Sequence, residues 1–110
     1  PLWLSPRQAA VVPVSEEKFG AYARSVGDAL KAAGLRTVVD NRDESLGKKI
    51  REATQLKTNY ILVVGAKEQE AGAVAVRRRD GADLGAKPLD AVVEALRRER
   101  ETRSINPLME

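Results

Sequence analysis

The segment Tyr60–Val64 constrains the fold most, because every residue in it is apolar and glycine follows at position 65. A strand that is apolar on both faces is typical of the centre of a sheet that helices cover on each side. Amphipathic stretches with helical spacing lie before and after it along the chain. The sequence therefore predicts a three-layer α/β sandwich.

The remaining elements follow from periodicity and from residues that start or stop helices. Ser15, followed by two acids, predicts a helix N-cap, and Gly34 predicts a left-handed C-cap. The apolar spacing predicts a first helix with a buried stripe through Phe19, Tyr22, Ala23, Val26, Leu30 and Ala33, a second helix through Leu46, Ile50, Ala53 and Leu56, and a last helix from Pro88. Strands are predicted at 8–14, 36–40, 60–65 and 73–80, and a turn at Asp80-Gly81 is followed by a short stretch that pairs with the fourth strand. This order predicts a mainly parallel sheet with an antiparallel edge.

Length and composition narrow the function classes. A chain of 110 residues has room for one domain, here residues 1–110. It contains no Cys and no His, which excludes disulfides, zinc-finger ligand sets and nucleophiles that depend on Cys or His. The longest apolar run is far shorter than the roughly 20 residues that span a bilayer, and we expect a cytoplasmic location without membrane contact. The net charge of +3 fits an anionic partner and equally fits ordinary solubility.

Glu68 and Arg77 are the candidate residues for base recognition. In open α/β sheets, ligands bind where strands end and lead into helices, and Glu68 follows the central strand. A carboxylate accepts hydrogen bonds from N1–H and the exocyclic amine of guanine, while a guanidinium donates two to O6 and N7. The alternative is that Glu68 is one more charge in a solvated loop and that Arg77 is a surface residue or its ion-pair partner.

A basic group on the second helix is the candidate for phosphate contact. Its members are expected on or near exposed faces and are Lys48, Lys49, Arg51 and Lys57. The alternative is a solvated helix face that Glu44 and Glu52 partly neutralise. The region has no general base of suitable pKa, so recognition is favoured over catalysis.

Several motifs occur in a familiar order along the whole chain. They are Trp3-Leu-Ser-Pro-Arg-Gln8, Gly34-Leu-Arg36, Asp40-Asn-Arg-Asp-Glu44, Leu46-Gly-Lys-Lys-Ile-Arg-Glu-Ala53, Lys57 to Tyr60, Val63-Val-Gly65, Lys67-Glu68 and Val74-Ala-Val-Arg77. The sequence resembles the C-terminal anticodon-binding domain of bacterial threonyl-tRNA synthetases, the domain type shared with the glycyl, histidyl and prolyl enzymes. The Gly-x-Lys-Ile-Arg-Glu block with Lys-Glu and Val-Ala-Val-Arg behind it is specific to the threonyl branch.

The resemblance implies a five-stranded mixed sheet with three helices, and a chain that is a C-terminal fragment of a larger synthetase. It implies that Glu68 and Arg77 read the central guanine of threonine anticodons, and that the region of Asp43, Lys49, Arg51 and Lys57 contacts the uridine that follows and the nearby backbone. The full-length enzymes of this type are homodimers that use ATP and a zinc ion outside this domain, so no cofactor is expected here. Asp43 departs from the family's usual Asn; it offers only acceptors, so a donor to uridine O4 would have to come from Asn41 or Lys48.

Two other function classes remain open at this point. The same fold serves as an accessory or protein–protein module without RNA, which an exposed apolar patch would support. A small-ligand α/β enzyme is the other class, although the segment from Gly65 to Gly72 lacks the Lys-Ser/Thr of a phosphate loop.

Overall fold

The computed structural model describes residues 8–41, 44–56, 58–78 and 83–102, with the side chains of 100–102 left out. Nine elements follow one another along these residues. They are β1 (Ala9–Pro13), α1 (Glu16–Ala32), β2 (Thr37–Val39), α2 (Leu46–Gln55), β3 (Tyr60–Val64), α3 (Ala66–Ala71), β4 (Ala73–Arg78), β5 (Asp83–Pro88) and α4 (Leu89–Thr102).

The strands form one five-stranded sheet in the order β2-β1-β3-β4-β5. β1 pairs in parallel with β2 and with β3, whereas β4 is antiparallel to β3 and β5 is antiparallel to β4. The mixed α/β architecture is confirmed. Two strand pairs are parallel and two are antiparallel, so the antiparallel part is larger than predicted. Since β1, β2 and β3 run the same way, their carboxyl ends lie at one edge of the sheet.

Helices cover both faces of the sheet and give two separate cores. On one face, Val11 and Leu62 pack with Leu30 of α1 and Leu96 of α4. On the other face, which we call the α2 face, Val12 and Ile61 pack with residues of α2 that include Ile50 and Ala53. β3 contributes alternate residues to both cores, as its apolar sequence predicts.

The predicted helix ends are confirmed in atomic detail. The Ser15 hydroxyl accepts a hydrogen bond from the backbone N–H of Lys18 at 3.4 Å and caps α1. Gly34 has φ 87°, and the N–H of Leu35 behind it donates to the carbonyl of Leu30. Both arrangements satisfy backbone groups that a helix end leaves without partners.

Several expectations were wrong in detail. The segment after β3 forms a fourth helix, α3, which has only six residues and which the sequence did not predict. Leu56 is 53% exposed and does not continue the buried stripe of α2. Pro88 ends β5 and does not begin the last helix. The predicted turn at Asp80-Gly81 lies outside the described residues.

The first helix packs through residues that the apolar pattern did not include. Gly20 and Gly27 are buried on α1, whereas Phe19 is only half-buried. A Cβ on Gly27 would overlap Cγ2 of Val39, so the missing side chain lets α1 approach β2 closely. A hydrophobic scan misses such positions because glycine carries no apolar side chain.

Candidate nucleic-acid interface

The carboxyl edge of β1, β2 and β3 gathers the candidate residues. Val14 and Ser15 follow β1, Asp40 and Asn41 follow β2, and Gly65 follows β3. Each segment leads into a helix, which is the arrangement in which open α/β sheets bind ligands. The edge therefore supplies polar groups from three chain segments.

Glu68 lies in the first turn of α3 and is half-buried. Its Oε1 is 3.6 Å from the point where a Cβ on Gly65 would lie, and Cγ2 of the exposed Val14 is 3.1 Å from that point. Ile61 and Val63 face α2, so the alternation of β3 brings position 65 to the same face. Among the described residues, Glu68 has neither a hydrogen bond nor an ion pair, which leaves its carboxylate able to accept from a ligand.

Tyr22 of α1, which packs against the core on the α1 and α4 side of the sheet, also lies near Glu68. Its hydroxyl donates to the carbonyl of Ala73 at 2.8 Å, just beyond the C-terminal end of α3. The pKa of Tyr22 is raised, first by burial and then by the negative charge of Glu68. The hydroxyl thus fixes α1 to the junction of α3 and β4, close to the candidate acceptor.

Arg77 lies on β4, opposite Ile61 of β3. Directly opposed residues of antiparallel strands share a face, and Ile61 packs in the core under α2, so the register with β3 places Arg77 on the α2 face. The residue is half-buried, and within the described part of the chain no hydrogen bond or ion pair involves its guanidinium. Its five donors are therefore open to an acceptor from outside.

Arg77 lies on the α2 face and Glu68 at the carboxyl edge of the sheet, beyond the end of β3, and the two do not contact each other. Gly65, over which the Glu68 carboxylate lies, is four residues along β3 from Ile61, the partner of Arg77, which corresponds to roughly 13 Å between backbone positions. The long arginine side chain shortens this gap.

Lys49 does not lie where its sequence context suggested. The residue is 1% exposed, its Nζ is within 3.9 Å of Glu16 Oε2, and that Nζ has no hydrogen-bond partner. The expectation of an exposed face was wrong, because Leu46, Lys49 and Ala53 are spaced three and four apart and share the inward side of α2. Its predicted contact with RNA stays a prediction.

The other members of the basic group differ in their surroundings. Arg51 is exposed on α2, as expected. Lys48 is also exposed and forms an ion pair with Glu44 at 3.2 Å, an i,i+4 contact of the kind that contributes little. Asp43 and Lys57 lie outside the described residues.

The structure also draws attention to Asn41, which was considered in sequence only as a possible donor. Its side-chain Oδ1 is buried without a hydrogen-bond partner, and it lies 3.4 Å from the point where a Cβ on Gly20 would be. Its position in the sequence could have suggested Asn41 as a site residue, since it is a polar residue just after a parallel strand. Nothing in the sequence indicated that its amide oxygen is buried and unpaired.

The fold is that of a small α/β domain with polar groups at the carboxyl edge of its sheet, and sequence comparison identifies the family. The chain belongs to the anticodon binding domain family, whose sequence profile matches residues 8–99. It is 50% identical over 98% of its length to a segment of threonine–tRNA ligase from Thermus thermophilus, and 48% identical over 94% to one from Acidithiobacillus ferrooxidans. It spans only 16% of either relative.

A solved structure gives the same assignment. The RNA binding domain of threonyl-tRNA synthetase from Cryptosporidium parvum Iowa II superposes with a TM-score of 0.82 and 38% identity, over 87% of this chain and 24% of that one. The fold class and the expected resemblance to the threonyl branch are therefore confirmed.

Neither a metal site nor a membrane-spanning helix is found in the part of the chain that the structure describes. No three acidic side chains there are grouped as metal ligands, and the whole sequence has no His or Cys. None of the described helices has the length and apolar character needed to cross a bilayer.

Proposed function

We propose that this chain recognises the anticodon loop of threonine tRNA, and that it reads the central G and the U that follows it. The single observation that carries the proposal is the position of Glu68 at the carboxyl edge of the sheet and of Arg77 on the α2 face, with neither side chain paired to a described residue. An anticodon loop offers unpaired bases whose pairing edges can be read by such groups.

Each side chain has a definite role in this proposal. The Glu68 carboxylate accepts from guanine N1–H and the exocyclic amine, and Arg77 donates to O6 and N7. Adenine has no N1–H and carries an amine in place of O6, so both residues would lose bonds to it. The exposed Arg51 adds an attraction to phosphate that does not depend on sequence.

The relatives support a place for the chain within a larger enzyme. The curated proteins that it matches are threonine–tRNA ligases, and the chain corresponds to a small part of each. As a proposal, the complete protein joins threonine to its tRNA with ATP, holds zinc outside this domain, acts as a homodimer and is cytoplasmic. The domain itself supplies recognition.

The exposed apolar surface does not favour a protein–protein module. Val14 and Leu56 are the large hydrophobic residues exposed within the described ranges. Val14 lies at the carboxyl edge of the sheet, whereas Leu56 follows the far end of α2. They do not form the contiguous patch that such an interface needs.

The decisive experiment measures binding of anticodon stem-loop RNA to the wild-type chain and to Glu68→Ala. We expect the variant to lose about 1–3 kcal/mol of binding free energy for the cognate loop and most of its discrimination against a central G-to-A change. A loop with inosine, which lacks the exocyclic amine, should bind wild type more weakly and the variant no worse than G does. Glu70→Ala is the matched control, since Glu70 is exposed on the same helix.

Two outcomes would contradict the proposed role of Glu68. Wild-type discrimination retained in Glu68→Ala would show that Glu68 does not read the base. Equal losses of binding free energy in Glu68→Ala and Glu70→Ala would show that the effect comes from removing a negative charge and not from contact with the base.

A further inference from the structure

The short helix α3 carries Glu68, and its own packing does little to hold it in place. All six of its residues are described, and none of them is buried. Its N-cap, Gly65, has no side chain that could bond the first turn, and six residues are far too few to form a stable helix in isolation. The position of the Glu68 carboxylate therefore depends on how the ends of α3 are fixed.

Two hydrogen bonds from other elements hold the C-terminal end of α3. The N–H of Leu89, the first residue of α4, donates to the carbonyl of Gly72 at 3.1 Å. The Tyr22 hydroxyl donates to the carbonyl of the next residue, Ala73, at 2.8 Å. Because β4 begins at Ala73, both bonds fix the point at which α3 joins the strand that carries Arg77.

The neighbouring strands leave the Ala73 carbonyl to this hydroxyl. Ala73 is in register with Pro88 of β5, and proline has no N–H to donate. On the other side, the register of β3 with β4 ends at Ala75, two residues further along β4. A donor from α1 thus takes the place of a bond within the sheet, and it ties the carboxyl edge to a helix on the opposite side from α2.

Tyr22 can fix that point because its own position is rigid. Ala23 and Val26 of the same helix are fully buried, and the tyrosine ring packs against the core to which they belong. Burial and, to a smaller extent, the charge of Glu68 raise the pKa of Tyr22, so the hydroxyl keeps its proton and remains a donor at neutral pH. The bond to Ala73 therefore persists under the conditions in which RNA binds.

We propose that Tyr22 is a positioning residue for base recognition, and that its hydroxyl holds the junction of α3 and β4 so that the Glu68 carboxylate keeps one place relative to Arg77. This inference rests on the proposed function. Tyr22 itself touches no base, since its proton is donated to Ala73. Recognition by hydrogen bonds requires groups that are held within about 0.5 Å of the productive geometry, so a junction that shifts weakens the contact with guanine N1–H.

The test measures binding of anticodon stem-loops with G or A at the centre to wild type, Tyr22→Phe and Tyr60→Phe. Tyr22→Phe should lose about fivefold or more of the preference for G over A. Tyr60→Phe is the matched control, because the Tyr60 hydroxyl also donates a bond of 2.8 Å, to Glu99 Oε1, while its ring lies in the α1 and α4 core at the other end of β3. It should keep the wild-type preference.

The control is demanding for folding, since Tyr60→Phe removes a partner from the buried Glu99 carboxylate. A merely structural effect of losing a tyrosine hydroxyl would therefore affect Tyr60→Phe as well. The preference is a ratio measured on one protein preparation, so a change in the amount of folded protein does not alter it.

A double-variant cycle shows whether Tyr22 acts through Glu68. In the Glu68→Ala background, Tyr22→Phe should cause no further loss of the preference for G. Additive losses would mean that the hydroxyl acts on some other group, and they would overturn the assignment.

Hydrogen exchange of the free chain gives a readout that needs no RNA. The Gln69 N–H of α3 donates to the Gly65 carbonyl at 2.9 Å. It should exchange about fivefold faster in Tyr22→Phe than in wild type, because the hydroxyl no longer holds the helix end. In Tyr60→Phe its exchange should stay as in wild type, since α3 opens locally. Equal exchange in wild type and Tyr22→Phe would overturn the proposal.

The failure of this inference can be told apart from that of the proposed function. No preference for G in wild type would refute the proposed function, and this inference with it. Loss of the preference in Glu68→Ala together with its retention in Tyr22→Phe would refute this inference alone. Equal losses in Tyr22→Phe and Tyr60→Phe would also refute it, because the effect would then follow from stability and not from the position of α3.

Discussion

Replacing Gly27 by alanine should destabilise the chain through one contact. A Cβ at this position would overlap Cγ2 of Val39, while the helix backbone around Gly27 is otherwise regular. Val39 is β-branched and has few alternative side-chain rotamers, so relief requires α1 and β2 to move apart. Gly47 is the natural control, because a Cβ there has nothing within 4 Å.

The expected change in the free energy of unfolding follows from a comparison of Gly27→Ala with Gly47→Ala. Both replace a helical glycine, a change that by itself stabilises by up to about 1 kcal/mol. Only Gly27→Ala adds overpacking, which costs about 1–3 kcal/mol in a well-packed core. Gly27→Ala should therefore unfold about 1–3 kcal/mol more easily than Gly47→Ala. At about 4 °C per kcal/mol, thermal melts resolve this difference.

A double-variant cycle isolates the contact. Val39→Ala removes Cγ2, so its cost should be smaller in the Gly27→Ala background than in wild type, with a coupling energy on the order of 1 kcal/mol or more. If Gly27→Ala is as stable as Gly47→Ala, or if the two changes are additive, the close approach of α1 to β2 is not what the structure indicates.

Two further predictions concern the interface. In Glu68→Gln, the pKa of Tyr22 should fall by NMR titration yet stay above its ordinary value, because burial is the larger cause of its rise; an unchanged pKa would place the Glu68 carboxylate elsewhere. Arg51→Ala should weaken binding of all stem-loops to a similar extent and make the slope of log K against log salt shallower by about one unit, since Arg51 is exposed; loss confined to one anticodon would contradict a phosphate contact.

The fold could be predicted largely because its signals are local. The apolar run of β3, the serine cap of α1 and the left-handed Gly34 each act within a few residues of their own position. The helix α3 was not predicted, because its six residues are too few to show helical periodicity. The burial of Gly20 and Gly27 was not predicted, because glycine has no side chain and so does not contribute to an apolar pattern in the sequence.

The candidate site was less predictable because it depends on contacts between distant segments. Chemistry and resemblance suggested Glu68 and Arg77, but the face on which Arg77 lies follows only from the register of β3 with β4. Lys49 could have been recognised as inward-facing from its spacing to Leu46 and Ala53, yet a lysine suggests solvent by default. The unpaired oxygen of Asn41 needed the tertiary structure.

The left-handed Gly72 joins α3 to β4 without any intervening residue. Because successive strand residues alternate between faces, the number of residues from this joint to Arg77 decides which way the guanidinium points. Insertion or deletion of a single residue there would turn the arginine into the core beneath α1 and α4, whereas a change of two would restore its direction. The role proposed for Arg77 therefore depends on whether the number of residues between Gly72 and Arg77 is odd or even.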